Sequence, residues 1–511
     1  MPGSHMKFGD HKWVYIFGMI SALGALVFGY DNTYYSGILD MQEYKNHYGN
    51  HYDSDGKKAL ATSFTSLTTS SIYIGDLLGA LLAAPVNERW GRKKTFLLAA
   101  CCVMAGGLAQ VADTHYEAVI VIGRILIGLG IGQFTVTSLL YIGEIAPVSI
   151  RGPVLLMYQF LQSISQLVAS GITQGTEGVK STLSYKLPMG GLLILPLIIL
   201  LFLPFVPESP VWYVRKGRRE AAAKSLARIH QNKDGYDPTD DLNVLEAANR
   251  FEEEQQQASS WSALLFDPVE RRKLIWSSGG MFAQQICGII FFYNYGVVFA
   301  ADIGMSDPYL VTLITNILQV FAVAASVLTG NKIRRRTNLL VTTLTIQVAF
   351  LVIGGIGTQG TISQGSKYVI VVFSYVVIVA YNFGLGPLTY MTGREYAVGV
   401  NQNKIMSVSV VVLYFSVWAV SFTAPYLYTT AGLGPMLGFV YAGTSFFSLA
   451  WVWFCVAETK DRTRVEIAQF FTDGIPARKW RTHVFTDLPG YVATDKAGLE
   501  AEDIQIEDVK A

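Results

Sequence analysis

Long apolar runs broken by short polar connections dominate this chain. Runs of roughly 20 mostly apolar residues, the length a helix needs to cross a hydrocarbon core about 30 Å thick, recur near 14–38, 60–84, 95–113, 118–142, 153–175, 188–205, 274–300, 309–330, 338–357, 368–392, 404–428 and 434–456. The pattern predicts an all-α membrane protein with about twelve transmembrane helices. A closed β-barrel would show alternation over ten-residue segments, and the runs here do not alternate. The longest polar interruption, Pro207 to Lys273, divides the spans six and six.

Basic residues orient the bundle. Arg89, Arg92, Lys93 and Lys94 flank spans 2 and 3, Arg151 lies between spans 4 and 5, and Lys332, Arg334, Arg335 and Arg336 fall between spans 8 and 9. The opposite loops carry few Lys or Arg, chiefly Lys45, Lys57, Lys58, Lys180, Lys186 and Lys367. The positive-inside rule then places both termini in the cytoplasm. The expected organisation is a cytoplasmic N-terminal tail (1–13), a six-helix half (14–206), a cytoplasmic helical loop (207–273), a second six-helix half (274–456) and a cytoplasmic C-terminal tail (457–511). Within the loop, Leu242 to Ala258 reads as a charged amphipathic helix. Beyond Phe485 the chain turns acidic, with Asp487, Asp495, Glu500, Glu502, Asp503, Glu507 and Asp508, and loses apolar periodicity, the composition of a disordered segment.

Composition agrees with lipid as the solvent: 51% of the 511 residues are hydrophobic and 15% charged, against about a quarter charged in a soluble domain. A net charge of +1 offers no nucleic-acid footprint. Cys101, Cys102, Cys287 and Cys455 sit in apolar runs without metal-ligand or disulfide spacing, and read as packing residues. No metal set, nucleophile elbow or phosphate loop is present, so neither an enzyme nor a cofactor is expected. No removable signal is evident, and Gly3 to Met6, spelling GSHM, are set aside as an ambiguous leader.

The halves repeat. Asn87-Glu-Arg-Trp-Gly-Arg-Lys-Lys94 after span 2 recurs as Asn331-Lys-Ile-Arg-Arg-Arg336 after span 8. Glu144 at the end of span 4 is echoed by Glu395 at the end of span 10, and Pro207-Glu-Ser-Pro210 after span 6 by Ala457-Glu-Thr-Lys460 after span 12. A shared offset of roughly 245 to 250 residues implies two parallel six-helix repeats with a site between them near the midplane.

These motifs carry a resemblance. Phe28-Gly-Tyr-Asp31, Glu88-Arg-Trp-Gly-Arg-Lys93, Gly123-Arg124, Glu144-Ile-Ala-Pro147 with Arg151-Gly152, Pro207-Glu-Ser-Pro210, Gln284-Gln285 with Gly288, and Glu458-Thr-Lys460 occur in order over nearly the whole chain. The chain resembles the sugar porter family of the major facilitator superfamily, and Gly474-Ile-Pro-Ala-Arg-Lys-Trp480 is similar to the tails of many fungal members. The resemblance implies sugar transport by alternating access, as proton symport or facilitated uniport, in the plasma membrane, by a monomer whose partners are sugar, proton and bilayer. A non-transporting sugar sensor of the same fold is the rival; such sensors have long tails, and the tail at 457–511 is unremarkable.

Resemblance also implies the site. Gln159 and Gln166 in span 5, Gln284 and Gln285 in span 7 and Asn316 in span 8 match positions where the family presents amides to sugar hydroxyls, and an amide offers two donors and an acceptor. The same side chains could instead bind neighbouring helices, as polar groups in spans often do. Tyr390 stands where a ring-stacking Trp is common, and Trp418 follows Val417 where the family has Asn. Ile290 likewise replaces an Asn. Two hexose contacts are therefore absent, which points to a disaccharide, pentose, polyol or sugar acid rather than glucose.

Ionisable groups inside spans are costly and functional by default. Asp31 lies about 25 Å above the start of span 1 and Arg124 about 9 Å below the outer boundary at roughly 1.5 Å per residue, so the two are nearly level. The matching acid and Arg form the coupling pair of proton-linked porters; a structural ion pair in a uniporter is the alternative. Asp76, about 15 Å from the inner end of span 2, is either a second proton site or part of a water-filled cavity. Arg92, Glu144, Arg151 and Glu208 from one half, with Arg335, Glu395 and Glu458 from the other, resemble the salt-bridge belt that latches the outward-open form at the cytoplasmic gate. Gln402 stands where an Arg is expected after Glu395, leaving Arg394 or Lys404 as substitutes and predicting a weaker latch.

Overall fold

Each apolar run becomes a helix, and several of the helices run well past it. The computed structural model describes residues 12–52, 56–112, 115–146, 148–231, 236–329, 333–359, 361–460, 462–483 and 485. Over 148–156, and at 251, 255 and 258, the description is of the helix alone, so the side chain of Arg151 lies outside it, as do Pro147, Asn331, Lys332 and the acidic tail. Eleven helices among the described residues are long and apolar enough to cross a membrane. In chain order, spans 1 to 4 are Lys12–Asp40, Thr62–Trp90, Arg92–Val111 and Glu117–Ile145. Val148–Thr176, 29 residues long, is span 5, and Leu183–Phe205 is span 6. The second half comprises Pro268–Asp302, Pro308–Thr329, Arg335–Gly357, Gln364–Tyr396, Gln402–Thr430 and Gly434–Cys455.

Within a bilayer, helices associate through close packing rather than by the hydrophobic effect, and small residues allow the closest approach. Spans 2 and 4 meet this way: Gly75 and Gly79 lie against the backbone of Ile125 and Leu129, and Gly128 and Gly132 against the backbone of Ile72 and Asp76. A Cβ at any of the four would collide with a carbonyl oxygen.

Span 7 is broken. Its first segment ends at Ile286 and its second starts at Ile289, because Gly288 adopts φ 87°, a left-handed conformation that favours glycine. Its Cα faces the Tyr441 ring. Span 10 opens into a π-helical stretch, Tyr381–Leu385, ahead of Gly386-Pro387, and span 11 does so at Tyr426–Thr430. The hydrophobic pattern showed none of these interruptions.

The polar loop folds into helices Pro210–Arg215, Arg219–Ile229, Thr239–Ala258 and Trp261–Phe266. It touches both halves. Trp212 donates to the Glu88 carbonyl of span 2 at 3.0 Å, whereas the Ser260 amide donates to Asn401 at 2.9 Å and Leu264 packs with Ala397 and Ile405. This side of the bundle is termed the linker end and the opposite side the far end. The far end carries a two-stranded ribbon pairing His51 with Ala59 and Tyr52 with Lys58.

The segment expected to be a tail is folded where described. Helix Arg464–Thr472 starts with a capping box between Thr463 and Glu466, and Trp480, fully buried, stacks on Phe470 with ring centres 4.5 Å apart. Trp276 of span 7 joins the same cluster. Burial of its aromatic residues is what folds the stretch before Phe485.

The halves are bonded to each other from the far end inward. Thr62 and Thr429 share a hydroxyl hydrogen bond at 3.0 Å, Gln174 donates to Asp307 at 3.2 Å, and Tyr309 to the Gly37 carbonyl at 3.1 Å. Ser66 donates to the Phe422 carbonyl at 2.5 Å, and Tyr73 to Asn294 at 2.9 Å. Tyr414 approaches Thr135 from the other half, about 15 Å inside span 4 from its linker end. Among the described residues no hydrogen bond or ion pair joins the two sets of spans at the linker end.

Candidate functional site

Counting residues puts Asp31 and Arg124 level, and in the fold they touch. Arg124 Nη1 donates to Asp31 Oδ1 at 2.8 Å, with 3% and 1% of the side chains exposed. Arg124 Nε is taken by the Thr68 carbonyl at 3.1 Å, and its guanidinium lies 4.2 Å from the centre of the Tyr35 ring. The other carboxylate oxygen, Oδ2, is buried without a partner. Pairing answers the cost of each buried charge, yet leaves one acceptor of Asp31 unused. Asp76 is equally buried, and its Oδ1 has no partner; no cation pairs with it among the described residues.

The amides divide into four groups. Gln284 and Gln285 precede the break in span 7, and their depth brings them beside the π-helical stretch of span 10. Gln284 Nε2 donates to the Gly386 carbonyl at 2.7 Å, and the Tyr381 side chain lies beside both amides. Next to them Asn382 donates to Tyr293 at 2.8 Å. The Oε1 atoms of Gln284 and Gln285 are buried and unpartnered, so this cluster has spare acceptors for hydroxyl donors.

Gln166 forms a second group. Its Oε1 accepts from Gln319 of span 8, joining the two halves. Asn316 is separate from both: its amide donates at 3.0 Å to the Thr312 carbonyl on its own helix. Gln159 is half-buried in span 5, and no side-chain hydrogen bond engages it. The structure thus brings Gln284 and Gln285 together but not Asn316.

The two aromatic positions also differ. Tyr390, 36% exposed, stands toward the linker end from the amides, near Tyr158 and Tyr414. Trp418 rests on Phe422 and Phe415 of its own helix, with ring centres 5.6 and 5.7 Å apart. Ile290 and Val417 are buried in the apolar core, so neither supplies a polar contact.

Tyr381, Tyr293, Asn382 and Gln319 were absent from the sequence-derived site. The Gly-rich stretch ending in Gly386-Pro387 and the glycine after Gln284-Gln285 pointed to the neighbourhood of Asn382 and Tyr293, since interrupted spans mark binding sites in transporters; Tyr381 and Gln319 had no signal of their own.

At the linker end the motif residues form two matching clusters. Arg92, 1% exposed, binds Glu144 through Nε at 2.8 Å and again through Nη2. Arg335 binds Glu395 at 2.5 Å and Thr459 at 2.9 Å. The Glu208 carboxylate accepts the amides of Arg92 and Lys93 at 2.9 and 3.1 Å; Glu458 accepts those of Arg335 and Arg336 at 3.2 and 3.3 Å. In both halves an acid thereby caps a helix N-terminus, where the unsatisfied amides and the helix dipole favour it. Every pair lies within one half. Lys404 stacks over Trp261 at 5.3 Å and Arg394 is exposed, so neither takes the place of the Arg missing at Gln402.

The family described as Sugar (and other) transporter matches residues 17–471. The probable glucose transporter rco-3 of Neurospora crassa is 26% identical over 89% of this chain and 78% of its own. The high glucose sensor RGT2 of Saccharomyces cerevisiae is 28% identical over 91% of this chain, which spans 62% of the sensor's length. The inward open conformation of the xylose transporter XylE from E. coli superposes with a TM-score of 0.74 at 20% identity, covering 89% of this chain and 99% of that one.

Proposed function

This chain belongs to the sugar (and other) transporter family, and from that premise we propose that it carries a sugar across the plasma membrane by alternating access, with a proton as co-substrate. One observation carries the coupling: a buried carboxylate paired with an arginine while its second oxygen stays unused. Arginine does not give up its proton, so Asp31 remains ionised while paired. When sugar draws the helices together and parts the pair, the isolated carboxylate is stabilised by taking up a proton, and the two bindings are linked.

On this reading Gln284, Gln285 and Tyr381 receive the sugar hydroxyls, Gln159 faces them from the other half, and Tyr390 covers an apolar ring face. Asp76 lies beside the same path as a second proton station. Because Ile290 and Val417 offer no hydrogen bond, the substrate class is a pentose, polyol, sugar acid or disaccharide in preference to glucose. The linker end is cytoplasmic, both termini lie inside, and the conformation described is inward-facing with the monomer as the working unit.

A sensor is the second reading, favoured by the similarity to RGT2. Uptake of labelled glucose, xylose, a polyol, a sugar acid and a disaccharide, each with and without a protonophore, separates these possibilities. Saturable uptake of one non-glucose sugar, lost with protonophore, is the expected result. Protonophore-insensitive uptake means a uniporter, and no uptake of any sugar at normal surface expression means a sensor.

A further inference from the structure

Spans 6 and 12 both end in exposed aromatic residues at the linker end, Phe202 and Phe205 in one half and Trp453 and Phe454 in the other. On a membrane helix these rings face lipid at interfacial depth. A pair of cations lies beside each. In the second half Arg336 Nη2 donates to the Trp453 carbonyl at 2.8 Å, and its guanidinium lies 5.8 Å from the Trp453 ring centre. Arg478 sits 4.7 Å from the same ring and 5.2 Å from Phe454. In the first half Lys93 Nζ donates to the Pro204 carbonyl at 3.4 Å, and Arg228 Nη2 to the Phe205 carbonyl at 2.8 Å.

Lys93 and Arg336 are each the second residue of their helices, so the internal repeat accounts for them. It does not account for their companions. Arg228 comes from helix Arg219–Ile229 of the central loop, and Arg478 from the turn Ala477–Lys479 after span 12. Two unrelated segments thus deliver a second cation to the same place in each half.

Members of each pair stand close enough to repel. Among the described residues none of the four makes an ion pair. The nearest acids, Glu208 and Glu458, are engaged by backbone amides. Carbonyl acceptors hold Lys93, Arg228 and Arg336, and the Trp453 and Phe454 rings hold Arg478, without cancelling their charge; Arg336 Nη1 is buried with no partner among the described residues.

We propose that each half binds the headgroup phosphate of an anionic phospholipid at this rim, through Lys93 and Arg228 in the first half and Arg336 and Arg478 in the second. A phosphate diester matches a guanidinium in charge and geometry, and its acyl chains lie along the exposed rings. The proposal depends on the spanning fold and is independent of what is transported.

Native mass spectrometry of the full chain, released from mixed phosphatidylserine and phosphatidylcholine, tests it. The wild-type chain retains phosphatidylserine preferentially, and Arg228→Gln and Arg478→Gln each lower that preference by roughly fivefold, the ratio corresponding to about 1 kcal/mol for one basic side chain near an anionic surface. Arg228→Lys and Arg478→Lys, which keep the charge, retain most of it and control for folding. Millimolar glycerophosphoserine leaves the bound lipid in place. An unchanged lipid preference in the Arg228→Gln/Arg478→Gln double variant overturns the proposal, as does displacement by the free headgroup.

Discussion

Removing one partner of the Asp31–Arg124 pair strands the other as an uncompensated buried charge, which costs roughly 3–5 kcal/mol. Arg124→Gln should therefore lower the thermal unfolding temperature of the purified chain markedly, while the Asp31→Asn/Arg124→Gln double variant, which buries no net charge, recovers much of the loss. Equal destabilisation by the single and double variants would mean that the two side chains act independently. Gln284 serves a different purpose, since its Nε2 is held by the Gly386 carbonyl while Oε1 is unused. Gln284→Ala should reduce saturable uptake at least tenfold with surface expression unchanged, about what the loss of a hydrogen bond to a buried polar partner produces; normal uptake would remove Gln284 from the site. Both residues could be found in the sequence because a charge or amide pair inside an apolar run is conspicuous. Tyr381 and Gln319 could not, because a tyrosine in a membrane helix is ordinary, and the partner of Gln319 lies 153 positions away in the chain.

Helices were legible in number and order, whereas their ends were not. Hydropathy reports the part of a helix inside hydrocarbon, but span 7 runs from Pro268 to Asp302 and span 2 from Thr62 to Trp90 because polar ends remain helical in the interfacial region. The ends are fixed by residues distant in sequence: Glu208 caps span 3 and Glu458 caps span 9. Breaks escaped as well, since a single glycine at φ 87° leaves the local hydropathy unchanged. Contact between spans 2 and 4 rests on Gly75, Gly79, Gly128 and Gly132, and there a side chain has no room. Gly132→Val should cost about 1–3 kcal/mol from overpacking, read as a lower unfolding temperature in detergent. Gly143→Val, where open space surrounds the Cα, serves as the control and should be nearly neutral.

At the scale of the whole molecule, bonds between the halves cluster toward the far end, and among the described residues none joins the halves at the linker end. If one rocking motion exchanges these two ends, fixing the far end must stop transport. Thr62 and Thr429 place their hydroxyls 3.0 Å apart, so a Thr62→Cys/Thr429→Cys pair should form a disulfide under mild oxidation. Uptake should fall to background and return with reductant, and full uptake by the cross-linked chain would argue against alternating access at this end. The two-half plan was visible in the repeat of Arg92 and Glu144 as Arg335 and Glu395; on the conformation only the weaker latch expected at Gln402 bore, because it depends on which of two competing sets of contacts between halves is formed. Proton coupling through Asp31 is the central claim, and sugar accumulation in proteoliposomes under an imposed inward proton gradient tests it most directly. The wild-type chain should concentrate its sugar above the external level and lose that excess with a protonophore, while Asp31→Asn should only equilibrate it; equal final levels inside and outside for the wild-type chain, whatever the gradient, would contradict the account.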